Sequence, residues 1–398
     1  MIANEPGRPR AAAVLSELPD MVEAARDASH RALAELGAAP NLAIAFASFH
    51  HQPQFDALAE ILHRELAADC LVGCTGESVV CNEREIEGGA ALALWLAHLP
   101  HTTVVPVHLE FEATSEGGTI SGWPDSWGEG PPEGASLIVL AEPFSFPADV
   151  LLSRLNDDWP HLQVVGGMAS GGLGPGQNRL LVGDRTLDAG AVGVVLHGAT
   201  RLRSVVSQGC RPIGRPLVVT KADRNVILEL GGRPALAHLQ EVFESLSSDD
   251  QTLARQGLHV GQVINEYQDH FGRGDFLIRN VQGADPQSGA IAIGDFVRVG
   301  QTVQFHVRDA ATADEDLVAM LAAAKADGDR DCLAALLFTC NGRGTRLFAS
   351  ADHDAAAVAR HWQGLPVAGF FAQGEIGPVG GKSFVHGFTA SIALFESR

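Results

Sequence analysis

Four scarcities narrow what this sequence can be. Basic residues are few: 28 Lys and Arg against 48 Asp and Glu leave a formal net charge of −20. A surface of that sign repels phosphate backbones and anionic lipid heads, so nucleic acid and the membrane surface are poor partners. Long apolar runs are missing. The longest, Gly88 to Leu99, contains Trp95 and His98 and falls short of the roughly 20 residues a spanning helix needs. The stretch from Met1 to Asp20 carries Glu5, Arg8, Arg10 and Glu17 and has no continuous apolar segment of the secretory kind. Both absences lead us to expect a cytoplasmic protein.

Cysteine is the third scarcity. The six thiols, at 70, 74, 81, 210, 332 and 340, include no C-x-x-C pair, as expected for reduced thiols in a cytosolic protein. The C-x3-C-x6-C spacing of Cys70, Cys74 and Cys81 matches no usual zinc arrangement, so no metal and no cofactor is expected. Last, the standard catalytic signatures are missing: there is no H-E-x-x-H, G-x-S-x-G or G-x-G-x-x-G. Gly377 to Ser383 reads GPVGGKS, but Ile376 stands where a phosphate loop needs glycine and a strand follows instead of a helix; it reads as a Gly-rich turn. His50 and His51 are adjacent, so on a strand they would point to opposite faces.

What is present has the composition of a packed core, 46% hydrophobic and 19% charged. Asp20 to Leu36 has apolar residues at helical spacing, ended by Gly37 and Pro40. One pattern then recurs three times: an apolar strand, a helix, a second apolar strand running into glycine, and a further strand. The first strands are LAIAFAS (42–48), LIVLAEPFS (137–145) and ALLFTCN (335–341), and the second are LVGCTGES (71–78), VVGGMASGG (164–172) and VAGFFAQGE (367–375). Offsets between them are 71 − 42 = 29, 164 − 137 = 27 and 367 − 335 = 32. Closing strands are expected at Gly89 to Leu96, Ala191 to Leu196 and Phe384 to Phe395. A β-α-β crossover makes its two strands parallel, and continuous apolar character points to sheets covered on both faces. Ser204 to Leu230 and Asp275 to Asp309 read instead as antiparallel, with Val297, Val299, Val303, Phe305 and Val307 on one face of a final half-buried strand. Helices are expected over Pro234 to Leu246 and, capped by Thr312, over Ala313 to Ala326.

Seven segments taken in order, GCTGESVV (73–80), VVGGMASGG (164–172), VSQGCRPIG (206–214), DFLIRNVQGADPQSGAIAIGD (275–295), QTVQFHVRDA (301–310), LLFTCNGRG (336–344) and GFFAQGEIGPVGG (369–381), resemble the FIST family. The resemblance implies an N-terminal and a C-terminal FIST domain. We therefore expect an N-terminal helical extension over 1–40, a first domain over 41–230 and a second, with a closing strand, over 231–398. The expected fold is α/β: two related domains of mixed sheets with flanking helices, in a layered αββα arrangement. The resemblance also implies a sensory domain binding a small molecule, amino acids among the class, and working with a downstream signalling protein. A eukaryotic branch carries an F-box and serves as a substrate receptor; this sequence has no F-box segment and no kinase, cyclase or chemoreceptor region.

Ligands of parallel-sheet proteins sit where strands deliver their carboxyl ends. Expected ligand-binding residues are therefore Cys74, Thr75, Glu77, Gly167, Met168, Cys340, Asn341, Gln373 and Glu375 from the strand-end loops, with Arg211 and Arg343. An amino acid needs a cation for its carboxylate, Arg343 or Arg211, and an anion for its ammonium, Glu77 or Glu375. Two other readings stay open: a protein-interaction adaptor, and an enzyme using a loop cysteine, Cys74 or Cys340.

Overall fold

The structure, a computed structural model, describes residues 7–114, 118–128, 130–268, 270–327 and 332–398. By compactness the chain forms two units. The larger takes the residues up to Val206 with Leu317–Val385 and Thr389–Arg398; the smaller takes Ser207–Asp316 with His386–Phe388. In chain order, the smaller unit is an insertion into the third repeat.

The larger unit contains three sheets, one for each repeat. In each, the β-α-β strands are parallel neighbours: Leu42–Ser48 with Cys70–Gly76, Ser136–Ala141 with Gln163–Met168, and Cys332–Cys340 with Val367–Ala372. The closing strands Leu92–His98, Ala191–Gly198 and Thr389–Ser397 run antiparallel to the first strand of their own repeat. On its outer side each closing strand takes the strand that leads into its repeat: Arg10–Ser16, Thr102–Glu112 or Thr200–Gln208. The expected 384–395 strand is broken where Phe388 adopts a left-handed φ of 66°. Its first half, Lys382–His386, joins a hairpin instead.

Those hairpins do not stay with their own repeat. Val79–Cys81 and Arg84–Ile86, from the first repeat, complete the third sheet beside Val367–Ala372. Leu180–Val182 and Arg185–Leu187, from the second, complete the first sheet beside Cys70–Gly76. Glu375–Val379 and Lys382–His386, from the third, complete the second sheet beside Gln163–Met168. The exchange is cyclic. One glycine per repeat lets each parallel pair approach closely beneath it. A Cβ on Gly73, Gly166 or Gly369 would lie 2.2, 1.9 or 1.8 Å from the carbonyl oxygen of Ala45, Val139 or Leu337 in the neighbouring strand.

The inner faces of the three sheets share one apolar core. Phe46 of the first sheet stacks on Phe370 of the third at 5.2 Å between ring centroids, and Phe338 meets both edge-on. Outer faces are covered by helices: Met21–Leu36 and Phe55–Leu66 on the first sheet, Ala148–Asp158 on the second, and the 310–327 and His353–His361 helices on the third. The fold is thus mixed α/β with flanking helices, and the facing sheets number three. The described part of the expected 1–40 extension holds a strand as well as a helix: Arg10–Ser16 is paired along its whole length with Leu92–His98. Asp20 caps the helix that follows by accepting from Glu23 N, and Gly37 ends it with φ 60°.

In the smaller unit an antiparallel sheet runs in the order 210–223, 302–308, 258–263, 276–285, 290–293 and 226–230, and 210–223 also pairs with 226–230, so the sheet returns on itself. The last of the expected alternating strands starts at Thr302; Val297 and Val299 precede it outside the strand, Val299 in a turn. Its polar face is buried too, at Thr302, Gln304 and His306. Two helices, Ala235–Ser245 and Ser248–Gln256, accompany the sheet, the second unforeseen. The helix expected from Ala313 begins at Ala310, because Asp309 rather than Thr312 caps it, accepting from Ala311 N and Thr312 Oγ1.

Because the Gly369 Cβ position is filled by backbone, which cannot swing aside, Gly369→Ala is expected to cost about 3 kcal/mol or more. Gly128→Ala, with nothing within 4 Å, is expected to be near neutral. Urea unfolding of both variants checks the contrast; equal midpoints would disprove the close-approach role.

Candidate functional site

Where the three second strands end, the hairpins cross to their new sheets and the crossing backbones bond to one another. Phe371 N donates to Ser78 O at 2.9 Å, Met168 N to Gly374 O at 2.8 Å, Ser170 N to Thr75 O at 3.1 Å, and Gln373 N to Met168 O at 3.1 Å. Ser170 Oγ donates to Phe371 O and accepts from Glu77 N. Thr75 closes a two-way link with Arg179: its N donates to Arg179 O, and its Oγ1 accepts from Arg179 N. Thr75, Met168 and Gln373 lie in this crossing, Gly167 pairs with Glu375 next to it, and much of their backbone is engaged there. Cys74 is fully buried and burial pushes its thiol well up, opposite to the activation a nucleophile needs.

Beside the crossing lies a cavity of about 490 Å³ lined by residues of the larger unit. Two of the expected residues, Glu77 and Asn341, line it. Phe49 and Phe371 give it apolar wall, and His50, Glu87 and Arg346 add charge and polarity. The two histidines sit on the 3-10 turn Phe49–Gln54, which leaves His50 in the cavity wall and buries His51. Arg346 forms an ion pair with Glu77 and donates to Asn341 O at 2.9 Å. Glu87 accepts from Thr345 N at 2.9 Å and from Thr345 Oγ1 at 2.8 Å. Asn341 Oδ1 is buried with no hydrogen-bond partner among the described residues, the kind of group a bound donor would satisfy.

The remaining expected residues are placed elsewhere. Arg343 is wholly buried and outside the cavity lining, donating from Nε and Nη2 to Asp354 at 2.7 and 2.8 Å, with its guanidinium over the Phe348 ring. Burial alone would raise the Asp354 carboxyl, but the charge and hydrogen bonds of Arg343, with help from His353 and Thr339, hold it far below the usual carboxylate range. Arg211 lies in the smaller unit and pairs with Asp250 and Asp309. Glu375 is buried; one oxygen accepts from Thr389 N at 3.0 Å and Thr389 Oγ1 at 2.8 Å. Cys340 is half-buried, with Sγ accepting from Gly342 N at 3.5 Å. Gly380 and Gly381, both with positive φ, make the GPVGGKS segment a tight turn between strands Glu375–Val379 and Lys382–His386. The sequence reading missed Arg346 and Glu87. The signal for Arg346 was its place three residues past Arg343 in NGRGTR: the short 3-10 turn Gly344–Arg346 carries the chain outward, so the second arginine surfaces where the first is buried.

Among the described residues no group of His, Cys, Asp and Glu is placed to hold a metal ion, and no helix is long and apolar enough to cross a membrane. The larger unit is thus a three-repeat α/β module with exchanged hairpins and a small cavity at its strand ends, and the smaller an antiparallel unit inserted in the chain order. The chain belongs to the FIST family: the FIST N domain model matches residues 41–233 and the FIST C domain model residues 235–378. FIST domains are small-ligand sensory domains of signal transduction. The two models meet within the stretch that forms the smaller unit. The chain is 45% identical over 383 residues to an uncharacterized protein of Mycobacterium tuberculosis, covering 96% of this chain and 98% of that one. It is 44% identical over 380 residues to an uncharacterized protein of Mycobacterium bovis, covering 95% and 96%.

Breaking a buried ion pair from one side strands a charge, so Arg343→Met and Asp354→Asn are each expected to cost about 3–5 kcal/mol. Chemical denaturation measures this; a loss under about 1 kcal/mol would mean the pair is not holding the turn. Glu375 gives a pH signature. Burial, partly opposed by Thr389, pushes its carboxyl from 4.5 up to about 8. The folded chain then holds a proton that the unfolded chain releases. Its stabilising contribution is full below 4.5 and is lost as pH rises through about 8. Stability should fall across that window, and Glu375→Gln should make the fall shallower. An unchanged slope in the variant would exclude Glu375 as a source.

Proposed function

We propose that the strand-end cavity binds a small zwitterion of the amino-acid class, and that the chain serves as a ligand sensor for a downstream signalling protein. The observation that carries this is the pairing of charges at the cavity: Arg346 offers a cation for a carboxylate, and Glu77 with Glu87 offers anions for an ammonium. Asn341 Oδ1 would accept a further ligand N–H, and Phe49 and Phe371 would hold an apolar side chain. The volume of about 490 Å³ lies within the range of small-molecule pockets. Of the residues expected from sequence, Glu77 and Asn341 keep a direct part. Thr75, Gly167, Met168 and Gln373 act by building the crossing beside it, and Arg346 takes the cationic role assigned to Arg343.

A thermal-shift screen against the amino acids tests the reading. A ligand at about 100 times its Kd adds roughly 2.7 kcal/mol to the stability of a chain it binds only when folded. The expected result is a selective shift lost in Arg346→Ala, weakened in Glu77→Gln, and absent for the matching amine or carboxylic acid alone. A flat response across the panel, or a shift that Arg346→Ala leaves intact, would refute it.

A further inference from the structure

A second cavity, of about 960 Å³, runs along the outer edge of the Arg10–Ser16 strand, again within the larger unit. An edge strand presents unpaired carbonyls that must be covered. Here side chains cover them: Asn82 Nδ2 donates to Ala13 O at 2.9 Å and Arg31 Nη1 to Leu15 O at 3.0 Å. Asn82 stands at φ 54° in the turn of the exchanged hairpin, and the turn is anchored by Asn82 N to Val367 O at 2.8 Å and Val367 N to Asn82 Oδ1 at 3.2 Å. Among the described residues no strand lies against the edge here, and a hollow remains between it and the hairpin turn.

The chemistry of the hollow is one-sided. Both of its bases are already matched, Arg31 with Asp27 and Arg84 with Glu17. Glu35 and Glu83 also line it and pair with no base among the described residues, which leaves the wall two charges negative. Apolar surface comes from Leu15, Leu18, Trp362 and Leu365. An independent sign points to a missing partner. Ser16 in the wall is only 2% exposed, and its Oγ has no hydrogen-bond partner among the described residues. A buried hydroxyl without a partner is a cost that a bound donor would remove.

We propose that this hollow is a second binding site, specific for a small organic cation with an apolar body: a primary amine on a hydrocarbon or aromatic stem. The ammonium has donors only, which suits Ser16 Oγ and the carboxylates of Glu35 and Glu83, while its stem covers the leucines. Anions are turned away by the net charge of the wall. The site is separate from the strand-end cavity, with which it shares no lining residue.

Phenethylamine is the probe, titrated by ligand-observed NMR and calorimetry into the full chain, with phenethyl alcohol and 3-phenylpropionate as matched controls. The expected result is saturable binding of the amine at least about tenfold tighter than the alcohol, and none of the acid. Glu35 and Glu83 are exposed, so the double variant Glu35→Gln/Glu83→Gln should fold normally; it should weaken the amine by about tenfold or more. Ser16→Ala should weaken it by a smaller factor. Arg346→Ala, in the other cavity, should leave it unchanged, so this proposal and the zwitterion site fail separately. No saturable amine binding, equal binding of the alcohol or the acid, or full affinity in the double variant would each overturn it.

Discussion

Phe371 N to Ser78 O, Met168 N to Gly374 O and Ser170 N to Thr75 O tie together three chain segments that are each leaving one sheet for another. These bonds exist only if all three repeats are folded at once, because each repeat contributes its hairpin to a sheet it does not own. They also need a close approach of parallel strands immediately before the crossing. Gly73, Gly166 and Gly369 supply it at equivalent places, where any Cβ would meet a carbonyl. A β-α-β unit alone would end its second strand with an unpaired edge; here that edge is closed by a hairpin from another repeat, which also removes a route to aggregation.

The exchange also builds the site. Glu77 and Glu87 flank the first repeat's hairpin, whereas Asn341 and Arg346 follow the first strand of the third repeat. They meet because that hairpin lies in the third sheet. The same hairpin secures the third repeat's helix: Glu85 Oε1 accepts from Asp354 N and Ala355 N, both at 2.9 Å, and so satisfies amides at the start of His353–His361. Burial, reinforced by the nearby Asp354, pushes the Glu85 carboxyl up to about 8, even though those two backbone donors oppose the rise. Asp354 in turn is held by Arg343. The arginine that looked like a ligand contact is thus part of the frame that positions the one that faces the cavity.

This explains what could be read from the sequence. The three β-α-β units were legible because short apolar strands and their glycine-terminated partners repeat at nearly constant offsets, and strand parallelism follows from the crossover. The hairpins were not, since elements such as Val79–Cys81 and Leu180–Val182 have three residues, too few for any periodicity to show. Without the exchange, nothing in the sequence puts residue 77 beside residue 346. The Arg10–Ser16 strand was missed for a related reason: it reads RAAAVLS, whose alanines carry little strand preference, and it is fixed by pairing with Leu92–His98. Arg343 and Arg346 differ by the direction in which a single 3-10 turn presents them, a distinction no residue type encodes. Val297 and Val299 alternate correctly with Val303, yet the chain turns before the strand begins, so pattern alone extended the strand too far.

The Glu77–Arg346 pair also bears on which ligands the proposed zwitterion site would select. The pair is partly exposed, with side chains 33% and 57% accessible, and such a pair contributes only about 0–1 kcal/mol. Opening it is therefore cheap, provided both ends find new partners. A zwitterion supplies a carboxylate for the arginine and an ammonium for the glutamate, so no charge is left unmatched. A simple acid would leave Glu77 without its counter-ion, and a simple amine would do the same to Arg346. Discrimination then comes from the charge that the wrong ligand strands, more than from any contact the right one gains. The neighbouring Glu87 accepts from Thr345 and has no ion pair to lose among the described residues, so Glu77 is the carboxylate whose released counter-ion the ligand must replace.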